Sequence, residues 1–218
     1  MKLYLSIFFV LVLALPLVAQ KQKPQDDPNE KPPFVRAALV GGMNISQVDG
    51  DGIAGFRKVG ANAGAAAYVN LTKGFNASFE ILYSMRGAKS SSNETIRDGR
   101  KLVLNLDYIE VPVMVHYNDR DKAIFGVGFV WNTLVRSTVS PNILAEDVNF
   151  KRATFDVVGG VTFLIKKRYG INLRYTYSLT PAAVAVDNSA SGGGIRTTLD
   201  GGKLRNNVVG IRFMYFIN

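Results

Sequence analysis

The sequence predicts an all-β chain in which eight long antiparallel strands run up and down and close into a transmembrane β-barrel. Three observations predict it. From Phe34 onward apolar and polar residues alternate with period two over stretches of about 10 to 13 residues. The connections between the stretches alternate between short and long. The apolar parity of the stretches carries aromatic residues near both ends, as transmembrane barrel strands do at the two membrane interfaces.

The chain opens on MKLYLSIFFVLVLALPLVAQ, with basic Lys2, an apolar run from Leu3 to Val18, and Ala19 at a cleavage point. The run is too short for a spanning helix and a charged, proline-rich stretch follows at once, so residues 1–19 are expected to be a secretory signal peptide. Leu17 is larger than the residue usual at its place, so the cut can shift by one or two positions. Residues 20–33, QKQKPQDDPNEKPP, hold no aliphatic or aromatic residue and are expected to form a disordered periplasmic tail, leaving 34–218 as the barrel domain. The chain has no cysteine, which excludes disulfides, thiolate metal sites and an N-terminal lipid on cysteine. Its 26 lysines and arginines against 17 acidic residues give a formal charge of +9, or +8 once Lys2 leaves with the leader. In an exported chain that charge points to the anionic phosphates of an outer leaflet rather than to nucleic acid.

Each strand follows in turn. The first, 34–46, begins where the polar tail ends and leads into the long connection 47–57. The second, 58–71, turns through TKG at 72–74 into the third, 75–86. There Phe75, Ala77, Phe79, Ile81, Tyr83 and Met85 take one face, and Asn76, Ser78, Glu80, Leu82, Ser84 and Arg86 the other. After the long stretch 87–101, the fourth strand, 102–117, turns through NDRDK at 118–122 into the fifth, 123–136, whose alternation is less clean. The long stretch 137–150 separates it from the sixth, 151–165, which turns through KKR at 166–168 into the seventh, 169–180. In this seventh strand every odd position from Tyr169 to Leu179 is apolar or aromatic, and every even one from Gly170 to Thr180 is small or polar. The eighth, 203–217, follows the long connection 181–202. The short turns centre on Lys73, Arg120 and Lys167, each 47 residues from the next, as repeated hairpins require.

A tilted strand needs about 9 to 11 residues to cross a bilayer, more than the ~5 to 6 common in soluble sheets, and these stretches suffice. Within hydrocarbon every backbone N–H and C=O must be paired internally, which for strands means a closed barrel. An even strand number places both termini and the short turns in the periplasm and the four long loops outside. Phe75, Tyr117, Phe125, Phe163, Tyr169 and Tyr215 form the expected belt near the short turns, and Tyr83, Trp131, Phe155, Tyr175 and Tyr177 the one near the long loops.

Four pieces, LVGGMNIS (39–46), ASFEILYSMRGAK (77–89), LDYIEVPVMVHY (106–117) and AIFGVGFVWN (123–132), resemble the outer-membrane β-barrel proteins of the "porin family" or PorT-like group of Gram-negative bacteria. The resemblance runs from Phe34 to the C-terminus, and LDYIEVPVMVHY is its most specific element. It implies an eight-stranded barrel in the outer membrane; some relatives belong to the type IX secretion apparatus. One departure is the C-terminus, YFIN, in which two residues follow Phe216.

The element LDYIEVPVMVHY also holds Glu110 and the single histidine, His116. Both share the inward parity with Pro112 and Met114, but six residues of strand separate them by roughly 20 Å, too far for a shared metal or a direct proton relay. With one histidine and no cysteine, neither a histidine zinc site nor a thiol nucleophile can assemble, and no enzyme activity, catalytic residue, metal or cofactor is expected. Gly126 and Gly128 lie inside a strand with no following helix, and the glycine-rich 191–204 lacks the residues of a phosphate loop. The constellation that remains is inward charge. Glu80, Arg174 and Arg212 sit about five residues above their short-turn ends and Glu110 about seven, a level at which they would plug an eight-stranded bore, with Asp156 joining through Arg152 or Arg36.

The expected function is a non-enzymatic, side-chain-filled barrel that acts through its extracellular loops or periplasmic rim as a structural, adhesive or secretion-accessory component. The alternatives are a soluble lipocalin-like carrier, which needs an apolar interior, and a small porin or barrel enzyme. Expected partners are outer-membrane lipid and lipopolysaccharide, the barrel-assembly machinery, and a protein engaged through loops or rim.

Overall fold

The computed structural model describes residues 34–49, 55–72, 74–90, 103–119, 122–140, 148–165, 168–185 and 203–217. The signal peptide and tail expected over 1–33 lie outside them, as do parts of every connection. Along the chain run β1 (Val35–Asp49), β2 (Lys58–Thr72), β3 (Phe75–Lys89), β4 (Val103–Asp119) and β5 (Ala123–Ser140). A three-residue β6 (Val148–Phe150) precedes β7 (Ala153–Ile165) and β8 (Tyr169–Ser178), and a three-residue β9 (Ala183–Ala185) precedes β10 (Lys203–Ile217). The eight long strands pair antiparallel in chain order. The ring closes where β1 meets β10, in register from Ala37 opposite Ile217 to Asp49 opposite Arg205. Closure leaves no long strand with an unpaired edge, the condition hydrocarbon imposes on a sheet.

Two local irregularities have identifiable causes. Between β3 and β4 the ladder passes from Phe79 opposite Val113 to Leu82 opposite Glu110, skipping the site where Pro112 has no N–H to give. Between β4 and β5, Asp107 faces Arg136 while Tyr108 faces Leu134, so Val135 is an extra residue in β5. This bulge sets Arg136 beside Asp107 on the outer wall and explains why alternation in this strand reads poorly from sequence.

The two faces are inverted relative to a water-soluble protein. Leu39, Phe79, Val113, Phe129, Ile171 and Ile211 are exposed on the outer wall, while Asn44, Ser78, Glu80, Asn132, Asp156 and Arg212 are buried inside. A soluble carrier with an apolar interior is incompatible with this arrangement; an apolar outside and a polar inside are what lipid selects. Near the short turns Phe75 packs on Tyr117 with ring centroids 5.4 Å apart, and Tyr169 on Tyr215 at 5.6 Å. Toward the long loops Trp131 stacks on Phe155 at 6.3 Å. The protein is therefore expected to partition with membranes, to need detergent for extraction, and to migrate differently on a gel before and after boiling. Recovery in a soluble fraction would contradict the fold's polarity.

The strands extend slightly beyond their expected limits, β1 to Asp49, β3 to Lys89 and β5 to Ser140, whereas β8 stops at Ser178. Leu179 and Thr180 instead turn their amides onto the carbonyl of Phe155. The sequence signals neither β6 nor β9, which fall in stretches read as connections. β9 pairs with β10 through Leu204 opposite Ala183, and β6 pairs with β9 through Phe150 opposite Ala183. This small sheet brings Ala183 and Phe150 onto Val48, Leu104, Tyr108, Val139 and Leu204, an apolar cluster inside the long-loop end.

Candidate functional site, the filled lumen

A second apolar group fills the other end. Tyr68, Met214 and Phe216 lie buried there with Ala38, Val40, Ala66 and Leu82. The Tyr68 ring is 5.5 Å from that of Phe216 and 5.3 Å from that of His116, and the Arg36 guanidinium sits 4.7 Å above Phe216. Inward parity on β2 and β10 delivers these large rings to one level, and small neighbours such as Ala38 and Ala66 make room for them.

Two ion clusters occupy the polar lumen. In the first, Arg174 Nη2 lies 2.8 Å from Glu80 Oε1, and Arg212 Nη1 lies 3.2 Å from Glu80 Oε2. Arg212 also donates through Nε and Nη2 to Asn172 Oδ1, at 3.0 and 2.7 Å, and Asn172 donates to Thr162 Oγ1. In the second, Arg86 holds Glu110 Oε1 through Nη2 at 2.6 Å and Asp156 Oδ2 through Nη1 at 2.7 Å. Ser178 Oγ donates to Asp156 Oδ1 at 2.8 Å. Every charged member is buried.

The four charges singled out in the sequence thus fall into two groups. Glu80, Arg174 and Arg212 share one, and Glu110 belongs to the other. Asp156 pairs with Arg86 rather than with Arg152 or Arg36. Arg86, the centre of the second cluster, was legible only as an inward residue of its strand. It reaches Glu110 on the neighbouring β4 and spans the bore from β3 to Asp156 on β7, a choice that depends on shear and reach, not parity.

His116 and Glu110 serve different neighbourhoods. His116 Nε2 is 2.7 Å from Ser78 Oγ, the spacing of a serine–histidine dyad. Its other ring nitrogen faces Gly126, where an added Cβ would come within 2.3 Å of Nδ1. That glycine leaves the imidazole room against the wall, and among the described residues its hydrogen-bond partner is Ser78. Both dyad members are buried, and the Tyr68 ring packs against the imidazole. The pair is a satisfied interior hydrogen bond. Among the described residues, no group of three or more histidine and carboxylate side chains is placed to hold a metal.

Residues 19–184 match the sequence model of the outer membrane protein beta-barrel domain. No curated protein matches the chain. Among solved structures, the chain is similar to the attachment invasion locus protein Ail of Yersinia pestis, with 13% identity and a TM-score of 0.45 over 84% of this chain and 98% of that one. It is similar to OprG of Pseudomonas aeruginosa, with 13% identity and a TM-score of 0.48 over 85% and 96%. It is also similar to Neisserial surface protein A, with 8% identity and a TM-score of 0.47 over 85% and 99%.

Proposed function

We propose that the chain, which belongs to the outer membrane protein beta-barrel domain family, is a non-enzymatic barrel that works through its surfaces and not through its bore. Its place is the outer membrane. The observation that carries the reading is the lumen, filled from one apolar cluster through two ion clusters to the other. A chain that fills its own bore keeps its long-loop end and its periplasmic rim as working surfaces, in a structural, adhesive or secretion-accessory role.

Charge supports a lipid partner for the long-loop end. Among the described residues there, Arg57, Lys58, Lys89, Arg136, Lys151, Arg152, Lys203 and Arg205 stand against Asp49 and Asp107. Lys89, Arg136, Lys203 and Arg205 carry the outward parity, at the loop side of the belt of Tyr83, Trp131 and Tyr175. At that height the phosphates of lipopolysaccharide meet the wall, and cations there gain from the anionic surface. Lipopolysaccharide added to the folded protein in neutral detergent is expected to raise its unfolding temperature at low salt, and less so at high salt. The triple variant Lys89→Glu, Arg136→Glu, Lys203→Glu is expected to lose most of that shift. An unchanged shift in the variant, or none in the wild type, would remove the lipid from this reading.

A further inference from the structure

Between the two ion clusters the lumen encloses a cavity of about 10 Å3 whose lining includes Asn44, Asn62, Arg86, Glu110, Arg174 and Arg212. We propose that this cavity is a binding site for one resident water molecule that joins the two clusters. The site lies in the interior and is independent of what the rim binds.

Three observations converge on a neutral, bifunctional ligand of that size. A buried water needs about 10 to 15 Å3 and two to four polar partners. The lining presents a buried donor and a buried acceptor that have no partner among the described residues, Arg174 Nε and Asn62 Oδ1. Unpaired groups in a low-dielectric interior bear their full desolvation cost, which a molecule able both to accept and to donate relieves.

Charge then selects among small ligands. The first cluster holds two guanidinium groups on one carboxylate and carries an excess of positive charge. The second holds one guanidinium on two carboxylates and carries the opposite excess. Together they are balanced, so an added anion or cation would leave a net charge buried, whereas water leaves the balance intact. Its oxygen accepts from Arg174 Nε–H, and its hydrogens go to Asn62 Oδ1 and to Glu110 on the other side of the lining. The excess charges of the two clusters are thereby linked through one molecule.

The test uses the full barrel in lipid bilayers with 15N-labelled arginine and water-edited solid-state NMR, the Arg174 Nε resonance being assigned by its loss in Arg174→Lys. The expected result is polarisation transfer from bound water to Arg174 Nε in the wild type. Gly210 lines the cavity, and a Cβ there would approach only Asn44 Oδ1 closely, at 3.1 Å, so Gly210→Ala adds a methyl to the lining and takes space from the water. In that variant the transfer should fall to background. Gly41→Ala, at a position with nothing within 4 Å of the new Cβ, should leave it unchanged. If Gly210→Ala does not fold, Asn62→Leu deletes the acceptor at similar volume and should give the same loss. Absence of transfer at Arg174 Nε in the wild type overturns the proposal, and so does transfer of undiminished strength in the folded cavity variant.

Discussion

Replacing Arg86 with Leu is expected to lower the unfolding stability of the barrel by about 3 to 5 kcal/mol, the range for removing one partner of a buried ion pair. Arg86 is 2% exposed and contacts two carboxylates, so its loss strands both Glu110 and Asp156 in the bore. Ser178 still donates to Asp156, and Asn132 stands beside the gap, but neither supplies a positive charge. Replacing the cluster as a unit, with Arg86→Met, Glu110→Leu and Asp156→Leu together, should cost less than the single change, because no charge is left unpaired. Urea unfolding of the refolded protein in detergent measures both. A single variant as stable as the wild type, or less damaging than the triple, would show that these groups do not meet.

The second large effect falls on Glu80. It is fully buried and is the carboxylate on which Arg174 and Arg212 converge. Glu80→Leu leaves two guanidinium groups facing each other and should also cost about 3 to 5 kcal/mol. Arg174→Leu should cost less, since Arg212 remains 3.2 Å from the carboxylate. Parity alone places Arg174 and Arg212 on equal terms with Glu80; the ordering Glu80 above Arg174 comes from the carboxylate bridging two guanidinium groups. An Arg174 variant weaker than the Glu80 variant would contradict that arrangement.

How far the sequence reached can be traced residue by residue. Period-two alternation is a local property, so the eight long strands, their outward aromatics and the inward parity of Glu80, Glu110, Arg174 and Arg212 are all readable from neighbours in the chain. Which inward charges meet is set by strand stagger and by the reach of an arginine across the bore. Arg86 and Asp156 are 70 residues apart, and nothing local announces their contact. The bulge at Val135 is similarly hidden, because an extra residue changes parity without changing composition. β6 and β9 are three residues each, too short for any periodicity to register; they form because Phe150 and Ala183 find an apolar surface at the end of the bore. His116 illustrates the converse: a residue that draws the eye in the sequence is placed inside the barrel against Gly126 and Ser78.

Planar-bilayer recording of the purified, refolded protein shows whether the bore is sealed. Eight strands leave an interior only wide enough for side chains, and here that interior is occupied by two apolar clusters and the Glu80 and Arg86 networks. The predicted result is a membrane whose current stays at the level of protein-free lipid across a range of voltages. A large, steady conductance from the wild-type barrel would mean an open bore and make it a porin.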